Sequence, residues 1–117
     1  MSYGRYEIDD LLDSEHYWKD NFDVQFVQVN EDGSEWWRVI HKESKRVVSC
    51  NSMVQAFRIC LLAQERLDLG HVESYYNHSA LTKACYLIYG TKYIKTETYK
   101  MLGYKYYNNK WVEVKRK

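Results

Sequence analysis

Residues 51–67 read NSMVQAFRICLLAQERL, which is the clearest amphipathic helix pattern in the chain. Ser52 and Gln55 have the spacing of a capping box, so the pattern predicts a helix over residues 52–67. The predicted apolar stripe follows helical spacing and consists of Val54, Ala56, Phe57, Cys60, Leu61, Ala63 and Leu67. The predicted solvent face consists of Arg58, Gln64, Glu65 and Arg66. Such a helix is stable only when its stripe is buried, so other elements must cover it.

Three strands are predicted before this helix, over residues 24–29, 35–41 and 46–49, because β-branched and aromatic residues are concentrated there. Gly33 adopts positive φ readily, which favours a turn between the first two strands. Further upstream, residues 6–18 are acidic at their beginning, where a helix dipole favours carboxylates, and predict one short helix. Residues 20–23 are predicted to be a loop. The whole predicts an α+β fold, in which a short antiparallel meander packs on a central helix.

The last third of the chain predicts a helix-turn-helix followed by a C-terminal hairpin. Ser79 is the predicted cap of a helix over residues 80–89, and a short helix is predicted over residues 97–102. Two adjacent asparagines predict the turn of a hairpin over residues 104–114, with Tyr106 opposite Trp111. A chain of 117 residues is expected to form a single domain over residues 1–117.

Composition limits the class of protein. Apolar residues make up 45% and charged residues 28% of the chain, as in globular proteins. We see no apolar run near the roughly 20 residues of a membrane span and no signal-peptide pattern. Three cysteines without paired spacing favour reduced thiols, so we expect a cytoplasmic protein without a membrane partner.

Charge is distributed unevenly along the chain. Residues 1–40 contain ten acidic and three basic side chains, a net charge of −7, whereas residues 79–117 contain nine basic and two acidic side chains, a net charge of +7. Such asymmetry bears on partners more than on fold. It predicts either two binding faces of opposite sign or two halves that neutralise each other.

The acidic segment predicts a surface for a protein partner, because complementary charge speeds association and selects partners. The predicted acidic patch consists of Asp9, Asp10, Asp13 and Glu15, with Asp20 and Asp23 nearby. Trp36 and Trp37 are adjacent on a predicted strand, so they point to opposite faces and one could remain available as a binding residue. A solvated helix face is the alternative interpretation of the carboxylates, and coverage by a second helix is the alternative for the tryptophan.

The basic segment predicts a second kind of function. A winged-helix-like nucleic-acid binder would use lysines to offset phosphate charge and tyrosines to stack on bases. The candidate residues are Lys92, Lys95, Lys100, Tyr104, Lys105, Tyr106 and Lys110. Tyrosines in the core and lysines on a solvated face are the alternative interpretation.

Evidence for chemistry is weaker. His71, His78 and Cys85 recur every seven residues, but they lack the close-spaced pairs of a closed zinc site, so we predict no metal. Cys50 and His41 lie on neighbouring predicted strands, but nothing around them orients a base or an oxyanion hole. The five isolated glycines form no phosphate loop, and we predict no cofactor and no enzymatic activity.

In style the chain resembles the small accessory proteins of bacteriophages. The resemblance lies in the stretch EWWRVIHKESKRVVS followed by a capped helix, the ending YKYYNNKWVEVKRK, abundant Tyr, Lys and Asn, and the absence of proline. It implies a protein that binds a host component in a bacterial cytoplasm, as anti-restriction and anti-CRISPR inhibitors do. We therefore predict a small non-enzymatic protein that modulates or inhibits a host protein, such as a defence nuclease. The partner and the oligomeric state are left open.

Overall fold

The protein has an α+β fold, as predicted. A computed structural model describes residues 8–73, 77–90, 104–107 and 110–113. The elements in chain order are α1 (Ile8–Asp13), α2 (Glu15–Trp18), β1 (Phe22–Val29), β2 (Glu35–His41), β3 (Val47–Cys50), α3 (Met53–Leu69), α4 (His78–Tyr89), β4 (Tyr104–Tyr107) and β5 (Lys110–Glu113). Among the described helices, none has both the length and the apolar character that a membrane crossing requires.

The first three strands form an antiparallel sheet in the order β1-β2-β3. β2 has the predicted bounds, whereas β1 begins at Phe22, inside the predicted loop, because Phe22 pairs with His41 and is buried in the core. A bulge interrupts the β1–β2 register between Phe26 and Gln28. Alternation along the strands gives the sheet one face that packs on the helices and one face that points away from them.

The central helix α3 is covered on more sides than its sequence predicts. Ser52 accepts a hydrogen bond from the Gln55 backbone amide, as predicted, and Gly70 ends the helix at φ 83°, beyond the predicted bound of residue 67. Gln64 and Glu65 are buried, however, so the prediction of a solvent face there is wrong. The reason is that α1 and α2 also pack on α3, so that Glu65 lies beside residues of both helices and Gln64 accepts a hydrogen bond from Asn21. Leu67, predicted in the stripe, is 45% exposed because it lies beyond these contacts.

The acidic segment forms two helices instead of the single helix predicted over residues 6–18, and its first residues lie outside the described part. The break falls at Ser14, whose hydroxyl donates to the Leu11 carbonyl at 2.6 Å and accepts from Trp18 Nε1 at 3.0 Å. A serine hydroxyl that bonds a nearby carbonyl competes with the helical ladder. Leu11 and Trp18, on either side of the break, are both buried in the core.

The second helix, α4, begins at a different cap from the one predicted. Asn77, and not Ser79, occupies the cap position, and its side chain accepts from the Ala80 backbone amide. The predicted end at residue 89 is confirmed, and Gly90 follows it as the C-cap with φ 65°. Asn77 is the cap because its side-chain oxygen accepts from the backbone amide three residues further along the chain, which is the usual geometry of a helix N-cap.

The C-terminal hairpin forms a separate two-stranded sheet, β4–β5. Tyr106 lies opposite Trp111, as the sequence predicts. The predicted helix over residues 97–102 lies outside the described residues.

Candidate partner-binding site

A cleft of about 490 Å³ lies where α2, the inner face of the sheet and the start of α3 meet. We call it the aromatic cleft. Its lining combines aromatic rings with charged rim residues and consists of Glu15, Trp18, Lys19, Asp20, Phe22, Asp23, Val24, Trp37, Lys42, Met53 and Phe57. The volume lies within the usual range for sites that bind a ligand or an inserted side chain.

The rings of the aromatic cleft are held by contacts that each link two elements. Trp18 of α2 meets Phe57 of α3 edge to face, with ring centroids 4.9 Å apart. Phe22 of β1 stacks on His41 of β2, also at 4.9 Å. Offset and edge-to-face pairs of this kind stabilise beyond the area that they bury, so the floor of the cleft is fixed by the core itself.

At the open end of the cleft the aromatic surface continues into solvent. Phe26 packs edge to face on Trp37, with centroids 5.1 Å apart, yet Phe26 is 51% exposed. Met53, at the first position of α3, is also exposed. The cleft therefore has a rigid floor and an apolar lip that is accessible to a partner.

Charge around the cleft is mixed, with a net excess of carboxylates. Glu15, Asp20 and Asp23 are exposed acidic residues at the rim. Of the two lysines, Lys42 extends its ammonium to the backbone carbonyl of Lys19, at 2.8 Å. Lys19 and Lys42 are themselves exposed, so the rim carries three carboxylates and two ammonium groups, a net charge of −1.

A second cavity, of about 340 Å³, continues along the same helices, and we call it the acidic groove. Its lining consists of Asp10, Asp13, Ser14, His16, Tyr17, Leu61 and Glu65. The α3 residues of the two cavities, Met53 and Phe57 in the cleft and Leu61 and Glu65 in the groove, recur every four positions. They lie along one face of α3, so the cavities extend end to end over roughly 18 Å.

The predicted acidic patch is thus divided between two adjoining cavities. Asp10 and Asp13 line the acidic groove, Glu15 lines the aromatic cleft, and Asp9 lies in α1. Within the described residues the one ion pair is that of His71 with Glu73, at 2.9 Å, far along the chain from this patch. Asp10, Asp13 and Glu15 are exposed and form no ion pair with another described residue.

The two tryptophans do lie on opposite faces of β2, but they do not form one binding surface. Trp37 lines the aromatic cleft and donates from Nε1 to Glu35 at 2.7 Å. Trp36 points away from the helices, donates to the Ser49 hydroxyl at 3.1 Å and has the Arg38 guanidinium 5.8 Å from its ring centre. Both side chains are partly buried. Only Trp37 lines the aromatic cleft, so only Trp37 belongs to the candidate site.

Sequence reasoning missed the floor of the cleft. Trp18 and Phe22 are spaced four residues apart, but Trp18 ends a helix and Phe22 begins a strand, so no single period connects them. Glu65 was also missed, because its position on α3 predicts a solvent-facing side chain. It is buried and accepts the Glu73 backbone amide at 3.0 Å, across the loop that leads to α4.

The candidate chemical sites do not assemble. Within the part of the chain that the structure describes, no group of three or more potential ligands could hold a metal ion. Cys85 is fully buried, whereas His78 is exposed on the first turn of α4. Cys50 lies opposite Trp37 and not beside His41, because the β2–β3 register separates them by several residues. Burial raises the pKa of the Cys50 thiol, which disfavours the thiolate that a nucleophile requires.

Only some residues of the nucleic-acid hypothesis lie in the described part of the chain. Lys92, Lys95 and Lys100 lie outside the described residues. Tyr104, Lys105, Tyr106 and Lys110 lie on the paired strands β4 and β5. The preceding helix, α4, buries Ala80, Leu81, Ala84, Cys85 and Leu87 against the rest of the domain. The winged-helix function stays a prediction.

Comparisons with protein-family models, with curated proteins and with solved structures found no match to this chain. The resemblance to bacteriophage accessory proteins therefore stays a prediction as well. Function has to be argued from the geometry of the two adjoining cavities.

Proposed function

We propose that this chain is a non-enzymatic binding protein that occupies a surface of a protein partner and so modulates its activity. The binding face is formed by the acidic groove and the aromatic cleft. The resemblance to phage accessory proteins makes a bacterial host protein, such as a defence nuclease with a basic surface, the first partner class to test.

One observation carries the proposal. Five exposed carboxylates border two cavities that lie end to end, and three apolar side chains at or beside these cavities reach solvent, namely Tyr17, Phe26 and Met53. The carboxylates are Asp10, Asp13, Glu15, Asp20 and Asp23. Clustered like charge costs stability in a free protein, and a basic partner relieves that cost on binding. Aromatic residues surrounded by polar groups are the usual centre of a protein interface.

The test is capture of a partner from nuclease-treated bacterial lysate, followed by measurement of its affinity for purified variants. The binding variant is Asp10→Lys with Asp13→Lys, which changes the charge of the groove. Its matched control is Glu31→Lys with Glu43→Lys, which makes the same change in net charge at exposed turn positions that line neither cavity. We expect the binding variant to weaken the affinity by more than about tenfold, and the control to change it little.

Three results would contradict the proposal. The first is that no protein is recovered in stoichiometric amount. The second is equal loss of affinity in both double variants, which would show that only net charge matters. The third is recovery of nucleic acid alone before nuclease treatment, which would favour the basic segment as the binding region.

A further inference from the structure

The two edges of the three-stranded sheet are unequal. β3 has four residues, and Lys83 of α4 extends across it to donate to the Ser49 carbonyl at 2.6 Å. β1 has eight residues, and within the described residues no strand pairs with its outer edge. A lysine over a short edge strand is a common protection against strand pairing, and β1 has no such lysine contact among its described neighbours.

The first half of β1 is suited to receive another strand. Its register with β2 is regular over residues 22–26, and the bulge begins only after Phe26. A regular stretch of about five residues matches the usual length of a strand in a small sheet. The backbone of β1 is held there by β2 on one side, so an added segment would meet a preformed template.

The aromatic cleft lies beside this same stretch, because Phe22, Asp23 and Val24 contribute to its lining. Side chains of an added strand alternate between the two faces of the sheet. Those on the inner face would enter the cleft and pack on Trp37 and Val24. Those on the outer face would pass Asp23, and the ends of the segment would lie near Glu15 and Asp20.

We infer that the outer edge of β1 accepts an extended, basic segment of the protein partner as a fourth strand of the sheet. This inference rests on the proposed function and specifies the kind of partner. Main-chain hydrogen bonds to β1 would supply affinity, while the cleft and its carboxylates would select apolar residues alternating with Lys or Arg. An acidic segment would be repelled by the same rim.

The test uses the full chain and three fluorescent peptides of about nine residues, a length that covers the regular part of β1. The first alternates valine and lysine. The second has the same sequence with N-methyl groups on alternate residues, which removes the donors of one edge and keeps the charge. The third has glutamate in place of lysine. Anisotropy is measured at about 50 mM salt, where screening is weak.

We expect the first peptide to bind, the N-methylated peptide to bind at least about tenfold more weakly, and the glutamate peptide not to bind measurably. Asp23→Lys should weaken binding of the first peptide, whereas the control Glu31→Lys should not. Hydrogen exchange should slow at the amides of residues 22–26 when the first peptide is present, because strand pairing protects them.

Equal binding of the N-methylated peptide would overturn strand addition, and so would protection confined to residues outside β1. Failure of all three peptides to bind would also overturn it. None of these results affects the proposed function, which is decided separately by the Asp10 and Asp13 double variant against a captured partner. Unchanged affinity of that double variant for the captured partner, with intact peptide binding, would instead remove the acidic groove from the interface.

Discussion

The polar side chains near β3, at one edge of the sheet, and those near β1, at the other edge, have opposite surroundings. Near β3, charged and polar side chains contact α4 and bond its backbone carbonyls. Arg46 donates from Nη2 to the Ile88 carbonyl at 2.9 Å and from Nε to the carbonyls of Tyr86 and Leu87. His41 Nδ1 lies 3.0 Å from the Leu87 carbonyl. These groups cap the last turn of α4, where free carbonyls and the helix dipole favour a cation.

On the β1 side, the carboxylates of α1 and α2 and the residues at the rim of the aromatic cleft are left to solvent. Asp10, Asp13 and Glu15 are exposed and form no ion pair with a described residue. The contrast separates charges that are bonded within the fold from charges that are exposed. Charges that satisfy the backbone of the same molecule stabilise the fold, and charges that do not are available to a partner.

The largest expected effect on stability lies at the floor of the aromatic cleft. It sharpens the comparison because a buried residue of the floor can be compared with an exposed residue of the lip. Trp18→Ala removes a ring that is 1% exposed, together with its contact with Phe57. We expect a loss of about 3–5 kcal/mol in the free energy of unfolding, measured by urea denaturation. Phe26→Ala should cost only about 1 kcal/mol, because the ring is half exposed and loses mainly one aromatic contact.

The same pair also distinguishes roles in binding. Phe26→Ala should weaken binding to the captured partner. It should leave most of the free energy of unfolding unchanged. If Phe26→Ala lowered the free energy of unfolding as much as Trp18→Ala does, the lip would belong to the core. The cleft would then no longer be a candidate binding surface.

The next effect concerns the clamp on α4, formed by Arg46 against the end of the helix. Arg46→Ala removes charge-assisted bonds to three carbonyls and should lower the free energy of unfolding by about 2 kcal/mol. Lys45→Ala in the same turn is the control, because Lys45 is exposed and should change stability by less than about 0.5 kcal/mol.

Gly90 tests the clamp from the other side. A Cβ at Gly90 would lie 2.7 Å from the Arg46 guanidinium, and φ is 65° there, so Gly90→Ala combines steric conflict with backbone strain. In the Arg46→Ala background only the strain of about 1–2 kcal/mol remains. A double-mutant cycle should therefore show a coupling of about 1 kcal/mol. Strict additivity would show that the clamp does not form in solution.

The sequence predicts the β3 side of the molecule better than the β1 side. Helix α3, strand β2 and the glycine at the end of α4 follow from periodicity and from glycine's tolerance of positive φ, which are local properties. The burial of Gln64 and Glu65 does not follow, because it depends on where α1 and α2 dock. Likewise the cleft joins residues from four elements, so its existence depends on tertiary packing that no local pattern records.

The candidate site was predictable in its charge and not in its shape. The carboxylates of residues 9–15 stand out in the sequence because they cluster. Their division between two cavities depends on the break at Ser14, where a hydroxyl bonded to Leu11 and Trp18 replaces the continuous helix. Alternation correctly predicts that Trp36 and Trp37 part, but only the packing of α3 shows which of them meets the site.

The smallest expected effect on stability is that of lysine substitutions at Asp10 and Asp13. The comparison between the two edges of the sheet depends on it most. Asp10 lies in the first turn of α1 and Asp13 is its last residue, so the helix dipole favours the first carboxylate and disfavours the second. Asp10→Lys should therefore destabilise by a few tenths of a kcal/mol and Asp13→Lys should stabilise by a similar amount, so the double variant should stay within about 0.5 kcal/mol of the parent. Urea denaturation of the three variants measures this. A cost above about 1 kcal/mol would mean that these carboxylates stabilise the fold as Arg46 does, and a loss of partner binding in the double variant could then no longer be assigned to the binding face.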